Sequence, residues 1–239
     1  MVAPRFNPEQ AEPRPFVPGP FIPSEVLDHR RLVAWFSLAS RQRFPVWQPE
    51  VLADRRERTA HLTNPKSAAV LFALRYDEAQ QSPGLVLTQR PSHLKHHPGQ
   101  ISLPGGGAEG HETPEQTACR ETYEEVGLPP DRLTLVGRLP DYLTVTGFQV
   151  TPVIGLLHGQ VRFEPDPTEV SEVFEVPLSF LMNPANHQRR GLALESEQIE
   201  FFAMPYQHRF IWGATAAMIR NLYHFLYAAW TQCPEPETP

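Results

Sequence analysis

The chain has 239 residues, 41% of them apolar and 20% charged, with a formal net charge of −6. That length allows one globular domain with additions and a sizeable core. The acidic balance excludes a basic nucleic-acid footprint, and no run approaches the roughly 20 apolar residues that span a membrane.

Two cysteines, Cys119 and Cys233, are too few for a disulfide framework. Cys119 is expected in a core and Cys233 in a tail. The N-terminal MVAPRFNPEQAEPRPF has no apolar signal segment and carries acids, so no targeting peptide is expected and a cytoplasmic location follows by default. Proline is abundant at 27, with much of it near the ends. Residues 1–22 and 233–239 therefore read as irregular arms rather than packed elements, able to wrap a neighbouring subunit in a homodimer.

Residues 23–63 read as a helical extension. Ser24 to Arg41 predicts a helix, with Ser24 as N-cap and a broad apolar face of Val26, Leu27, Leu32, Val33, Trp35, Phe36 and Leu38. Residues 42–66 carry no clear pattern. Ser67 to Tyr76 (SAAVLFALRY) is an apolar run of strand length, and Leu85 to Arg90 is a second strand. Residues 91–106 form a long loop, with a short strand at Gln100 to Leu103.

Thr113 suits an N-cap, Pro114 a first helical position and Gln116 the third place of a capping box. Gly127 is a natural left-handed terminator, and Pro129-Pro130 prevents resumption. A helix is thus predicted from Pro114 to Val126. On it Glu121 and Glu125 share a face flanked by Glu124, while Cys119, Thr122 and Val126 point inward. The three carboxylates repel and stand at the negative end of the helix dipole; Arg120 offsets part of this, and a divalent cation would reverse it. Taken alone, three Glu fit a solvated acidic face as well as a metal site.

Further on, Leu133 to Leu139 and Leu143 to Leu157 are strand regions, Pro165 to Glu169 is a loop, and Val170 to Val176 leads into Pro177. Leu178 to Met182 is a short helix or turn, and Leu192 to Met204 contains a hairpin. Gly213 to Trp230 is a helix with Met218, Ile219, Leu222, Phe225 and Leu226 on one face. Strands interrupted by two marked helices argue an α/β class.

The stretch GGAEGHETPEQTACRETYEEVGL, from Gly106 to Leu128, resembles the Nudix box of hydrolases that cleave nucleoside diphosphates linked to another moiety. Every charged and glycine position of the box is present; Thr122 replaces the usual bulky aliphatic. The resemblance implies the Nudix fold, a mixed β-sheet sandwiched between helices (α/β/α), over roughly residues 64–232. It also implies Mg²⁺ or Mn²⁺ held by Glu121, Glu124, Glu125 and a backbone carbonyl of the glycine loop, with Gly106 as candidate. Arg120 would orient the carboxylates, and Glu112 would support the loop. The general base would be Glu121 or an acid of the later loop PDPTEVSEVFEVPL, which offers Glu169 and Glu172; Glu169 is favoured because it follows a turn.

Residues 86–106, VLTQRPSHLKHHPGQISLPGG, look like the accessory motif of the coenzyme A pyrophosphatase branch. Leu87, Thr88, Arg90, Gly99, Pro104, Gly105 and Gly106 match, while Val86, Pro91, Lys95 and Leu103 depart from it. Lys95 keeps charge but loses the bidentate fork of Arg. Arg90, Lys95, Gly105 and Gly106 are the substrate-binding candidates, although Arg90 and Lys95 also fit an ordinary polar loop. His96 and His97 are not expected to bind metal, because adjacent side chains diverge. HRFIWGATAAMIRNL, from His208, resembles a C-terminal feature of the same branch, yet Ile211, Trp212 and Met218 are expected simply to pack.

The expected activity is metal-dependent hydrolysis of coenzyme A or acyl-coenzyme A to 3′,5′-ADP and (acyl-)4′-phosphopantetheine. The alternatives are a Nudix hydrolase of ADP-ribose, dinucleoside polyphosphates or damaged nucleotides, and a non-catalytic Nudix binding module. The partner is a small nucleotide, with neither nucleic acid nor membrane.

Overall fold

The proline-rich N-terminal segment, expected to be a loose arm, is docked on its own chain. The computed structural model describes residues 7–40, 45–76, 83–94, 98–194 and 197–235. Strand β1 (Glu12–Arg14) pairs antiparallel with residues 189–191. Ile22 is buried, and the Pro18 and Pro20 carbonyls accept hydrogen bonds from Arg220 and the Tyr223 hydroxyl. Proline lacks an N–H but keeps its carbonyl, so an extended Pro-rich segment can still dock through acceptors and apolar rings. The other end behaves alike: the Cys233 carbonyl accepts from Trp35 Nε1 at 2.9 Å, and Arg31 pairs with Glu235 at 2.8 Å.

The predicted first helix starts later than expected. Ser24–Val26 is a single 3-10 turn, and α1 spans His29–Ser40. Asp28 takes the capping role, its Oδ1 accepting from the Arg31 amide at 3.0 Å. The uninterpreted stretch after it contains α2 (Ala53–Thr59).

Strand β2 (Lys66–Arg75) is the centre of the main sheet and runs parallel to residues 148–157 along its whole length. Its Ala69, Leu71 and Ala73 face one side, and Phe72 and Leu74 the other. Burial on both faces is why its sequence reads as an unbroken apolar run. Then follow β3 (Gly84–Gln89), β4 (Ile101–Ser102), β5 (Gly105–Gly107) and the predicted helix α3 (Pro114–Val126). After it come β6 (Leu133–Arg138), β7 (Tyr142–Leu143), β8 (Phe148–Leu157), β9 (Glu172–Pro177) and the short α4 (Leu178–Leu181).

The main sheet has the path β4-β3-β2-β8-β6, with β5 on β2, β7 on β8 and β9 on β3. All pairings except β2–β8 are antiparallel, so the sheet is mixed. The remaining strands, β10 (Gln188–Leu194), β11 (Glu197–Tyr206) and β12 (Arg209–Trp212), form a second sheet with β1. The long α5 (Gly213–Gln232) closes the chain.

The sandwich follows from where the apolar faces go. On one side Ala118 and Val126 of α3 pack on Ala69, Leu71, Val86 and Val153. On the other, Trp35 and Phe36 of α1 and Leu222 and Phe225 of α5 cover Phe72, Leu85, Leu87 and Ile154. Phe36 and Phe225 stack with centroids 4.4 Å apart, worth about 0.5–1.5 kcal/mol beyond their area. The second sheet adds Phe202, Met204 and Ile211 to the same core. Helix α5 thus has neighbours on several sides, which explains its near-continuous burial.

Candidate active site

Local sequence sets helix α3 with the predicted caps. Thr113 Oγ1 accepts from the Gln116 amide at 3.3 Å, and Gln116 Oε1 accepts from the Thr113 amide at 2.8 Å. Gly127 ends the helix at φ +69, and its amide donates to the Tyr123 carbonyl. Thr122 is fully buried and bonds back to the Ala118 carbonyl at 2.6 Å, so the hydroxyl that replaces an aliphatic is satisfied within the helix. Cys119, expected in the core, is only half-buried.

Arg120 gathers the acids. Its guanidinium donates to both Glu112 oxygens at 2.7 and 3.0 Å, to Glu121 at 2.9 Å, to Glu124 at 3.0 Å and to the Gly107 carbonyl at 2.9 Å. Glu112 also accepts from the Glu109 amide and the Thr117 hydroxyl. The Arg120 fork holds the Glu112 carboxyl down at about 2. Arg120 and Glu112 together tie the glycine loop to the helix.

Glu125 has the opposite environment. Its side chain was expected on an exposed face, but the residue is only 6% exposed. Strand β5, which the sequence reading did not foresee, lies over it, and the Gly105 amide donates to Glu125 Oε2 at 3.1 Å. Burial pushes its carboxyl up to about 7; the charges of Glu169 and Glu121 add to the rise, while the Gly105 N–H and Arg90 oppose it. Burial also raises Glu121, helped by Glu124 and Glu169 against Arg120. Glu124 stands at the rim, with its side chain 57% exposed.

The glycines permit this closeness. Gly105 has φ +145, and a Cβ there would strike the Ala69 carbonyl and Val70. A Cβ on Gly106 would collide with the Glu121 carboxylate.

The charge of Glu169 acts on Glu121 and Glu125, and its loop is stitched to the end of α3. The amides of Glu164 and Asp166 donate to the carbonyls of Val126 and Glu125, and the Val170 amide to Asp166. Asp166 Oδ1 closes the turn by accepting from Thr168. Glu172, the other candidate base, opens β9 and is paired with Arg209. Lys95, His96 and His97 lie outside the described residues.

A cavity of about 490 Å³ opens beside Gly105 and Glu125. Arg90 lines it from the upstream motif, and Phe201, Trp212 and Met218 supply apolar wall. Ile211 packs in the core as expected, but Trp212 and Met218 also face this space. Arg55 and Arg58 of α2 line it too. Sequence reasoning missed both, although the run Arg55-Arg56, Glu57, Arg58 in an acidic chain was a signal.

The family model for the NUDIX domain matches residues 65–205. The chain belongs to the Nudix family. It is 38% identical to the "uncharacterized Nudix hydrolase NudL" of Enterobacter sp. (strain 638) over 186 residues, covering 75% of this chain and 89% of that protein. The protein of the same name from Pectobacterium atrosepticum is 39% identical over 158 residues, covering 66% and 81%. Among solved structures, a MutT/nudix family protein from Enterococcus faecalis aligns over 87% of this chain and 74% of its own at 17% identity, with a TM-score of 0.44. The Nudix hydrolase RenU of M. smegmatis aligns over 48% and 72% at 27% identity, with a TM-score of 0.42. The chain is therefore a Nudix hydrolase with the expected mixed-sheet α/β fold. Nudix hydrolases generally use divalent ions such as Mg²⁺ or Mn²⁺ and act on small nucleotide derivatives.

Among the described residues, no three His, Cys, Asp or Glu side chains converge closely enough to hold an ion as they stand. One reason is visible: Arg120 engages Glu121 and Glu124. The donor chemistry nevertheless fits a hard cation, because Glu125 is a buried carboxylate whose bonded partner is a backbone amide rather than a cation. No helix of the described residues is long and apolar enough to cross a membrane.

Proposed function

We propose that the chain is a coenzyme A diphosphatase, cleaving the pyrophosphate of coenzyme A or acyl-coenzyme A to 3′,5′-ADP and (acyl-)4′-phosphopantetheine. The observation that supports it most is that the two motifs meet in one place: Arg90 and Gly105 of the upstream motif line the same cavity as Glu125 of the box.

Glu121, Glu124, Glu125 and the Gly106 carbonyl would hold Mg²⁺ or Mn²⁺. When bound, the ions neutralise the pyrophosphate oxygens and lower the pKa of a coordinated water. Arg120 keeps Glu121 and Glu124 oriented, a positioning role of the kind that tunes metal sites. Arg90 adds positive charge on the cavity side of Glu125. Glu169 accepts the proton of the attacking water, with Glu121 as the rival for that role. The water oxygen bonds to one phosphorus, and the bridging P–O bond breaks, its oxygen leaving with the other phosphorus, to release 3′,5′-ADP and 4′-phosphopantetheine.

A product assay over coenzyme A, acyl-coenzyme A, ADP-ribose and dinucleoside polyphosphates, with and without Mg²⁺, tests this. Metal-dependent release of 3′,5′-ADP is expected. A strong preference for ADP-ribose or a dinucleoside polyphosphate would remove the coenzyme A assignment and leave another Nudix substrate.

A further inference from the structure

The same cavity carries a second set of charges besides Arg90 and Glu125. The cations of that set come from α2, outside the residues 65–205 matched by the NUDIX domain. Arg55 is fixed there: Nε and Nη2 donate to the Leu143 carbonyl at 3.2 and 2.9 Å, and the guanidinium stands 4.1 Å over the Tyr142 ring. Neither contact is with an anion. Arg58 is half-buried and has neither hydrogen bond nor ion pair among the described residues. Neither Glu200, which also lines the cavity, nor Asp54, whose Oδ1 is buried without a hydrogen-bond partner, is bonded to Arg55 or Arg58. Glu200 pairs with Arg189, and Asp54 Oδ2 accepts from the Glu200 amide at 3.1 Å.

Two guanidinium groups therefore line an apolar-walled cavity with no carboxylate of the described residues bonded to either. Burial lowers the Arg55 pKa, and the charge of Arg58 lowers it further against Tyr142 and Asp54. Such a pair is unfavourable when empty and suits an oxyanion with several acceptor oxygens, which a guanidinium fork matches. Arg90 is tied to the box instead, since its charge acts on Glu125.

We infer that Arg58, with Arg55 beside it, receives a second phosphate of the substrate, separate from the pyrophosphate that is cleaved. This rests on the coenzyme A reading, in which that group is the ribose 3′-phosphate. It gives that phosphate to α2, beyond Arg90 and Lys95, the substrate-binding cations expected from the sequence.

Two measurements on wild type, Arg58→Ala, Arg58→Lys and Arg90→Ala test it. The first is kcat/KM for coenzyme A and dephospho-coenzyme A. The second is calorimetric binding of 3′,5′-ADP and 5′-AMP, which needs no turnover. A charge-assisted contact to phosphate is worth about tenfold to a hundredfold. Arg58→Ala should lower the coenzyme A to dephospho-coenzyme A ratio by about that factor, with partial recovery in Arg58→Lys. It should weaken 3′,5′-ADP by a similar factor and 5′-AMP much less, whereas Arg90→Ala should depress both substrates together. A folded Arg58→Ala protein with the wild-type ratio and wild-type 3′,5′-ADP affinity would overturn the inference. So would a wild type that binds 3′,5′-ADP no better than 5′-AMP, even if it hydrolyses coenzyme A. Conversely, Arg58-dependent 3′,5′-ADP binding in a protein that cleaves neither substrate would retain the phosphate site and remove the coenzyme A reading.

Discussion

Glu112 and Glu125 are the same side chain at the two ends of the box helix, yet the fold drives them in opposite directions. Glu112 is half-buried and clasped by Arg120, and its carboxyl sits at about 2. Glu125 is buried under β5 with no cation of the described residues bonded to it, and its carboxyl is pushed up to about 7. At the first end the protein supplies the counter-charge itself, and the acid serves as a brace. At the second it leaves a carboxylate whose charge is unfavourable until something positive arrives from outside. Arg120 and Arg58 differ in the same way: one is saturated by acids of the chain, the other faces a cavity.

The largest effect expected from breaking this contrast is at Glu125. Glu125→Gln should lower turnover by about 10³-fold, since it removes the anionic group proposed to hold the metal, worth several kcal/mol in the transition state. The metal-free fold should survive and be steadier at high pH. Burial raises this carboxyl above its ordinary 4.5, so its ionisation penalises the folded state fully above pH 7, and the penalty vanishes as pH falls toward 4.5. The shift corresponds to roughly 3 kcal/mol. Melting curves in chelator from pH 5 to pH 8 should show wild type losing ground to Glu125→Gln as pH rises. Parallel curves would mean that Glu125 is not strained in the apo protein, and near-wild-type rates for the variant at limiting Mg²⁺ would dismiss it as a ligand.

Next is the base. Loss of a general base lowers rates by about 10²–10⁴-fold. Glu169→Gln should fall in that range while keeping its metal affinity by calorimetry, whereas Glu121→Gln should lose metal affinity as well. Full activity in Glu169→Gln would transfer the role to Glu121.

The braced end should respond less. Arg120→Ala releases Glu112, Glu121, Glu124 and the Gly107 carbonyl together, and turnover should drop by about 10–100-fold, the range of outer-shell changes in metal sites. Arg120→Lys should recover little, because one ammonium cannot reproduce the fork. Complete rescue by lysine would show that charge alone, rather than geometry, holds the brace.

The smallest effect sharpens the comparison by touching neither end. Thr113→Ala removes the N-cap of α3 and should destabilise the protein by about 1 kcal/mol in denaturant titrations. Activity per folded molecule should not change; a clear drop in kcat would mean that the cap also sets the register of the carboxylates.

The box helix was legible because its signals are local. Thr113, Pro114, Gln116 and Gly127 act within a few residues of themselves, and they placed Pro114–Val126 correctly. Strand β2 was legible because burial on both faces leaves an unbroken apolar run. What could not be read had partners far along the chain. The start of α1 at His29 depends on Asp28 capping where Ser24 looked equally suitable. The docking of the N-terminal arm depends on β10 and α5, elements with no sequence mark pointing to residues 12–22.

The sequence by itself determined the helix and the face that groups its Glu and Arg residues, because caps and periodicity act within one short stretch, and the resemblance of that stretch to the Nudix box pointed to the family. Only the tertiary structure decided which of those carboxylates is buried, since β5 and the loop bearing Glu169 reach Glu125 through contacts distant in the chain. It alone brought Arg55 and Arg58 of α2 to the same cavity as Arg90 and Glu125. Burial and long-range charge are properties of the assembled neighbourhood, and no local pattern in the chain encodes them.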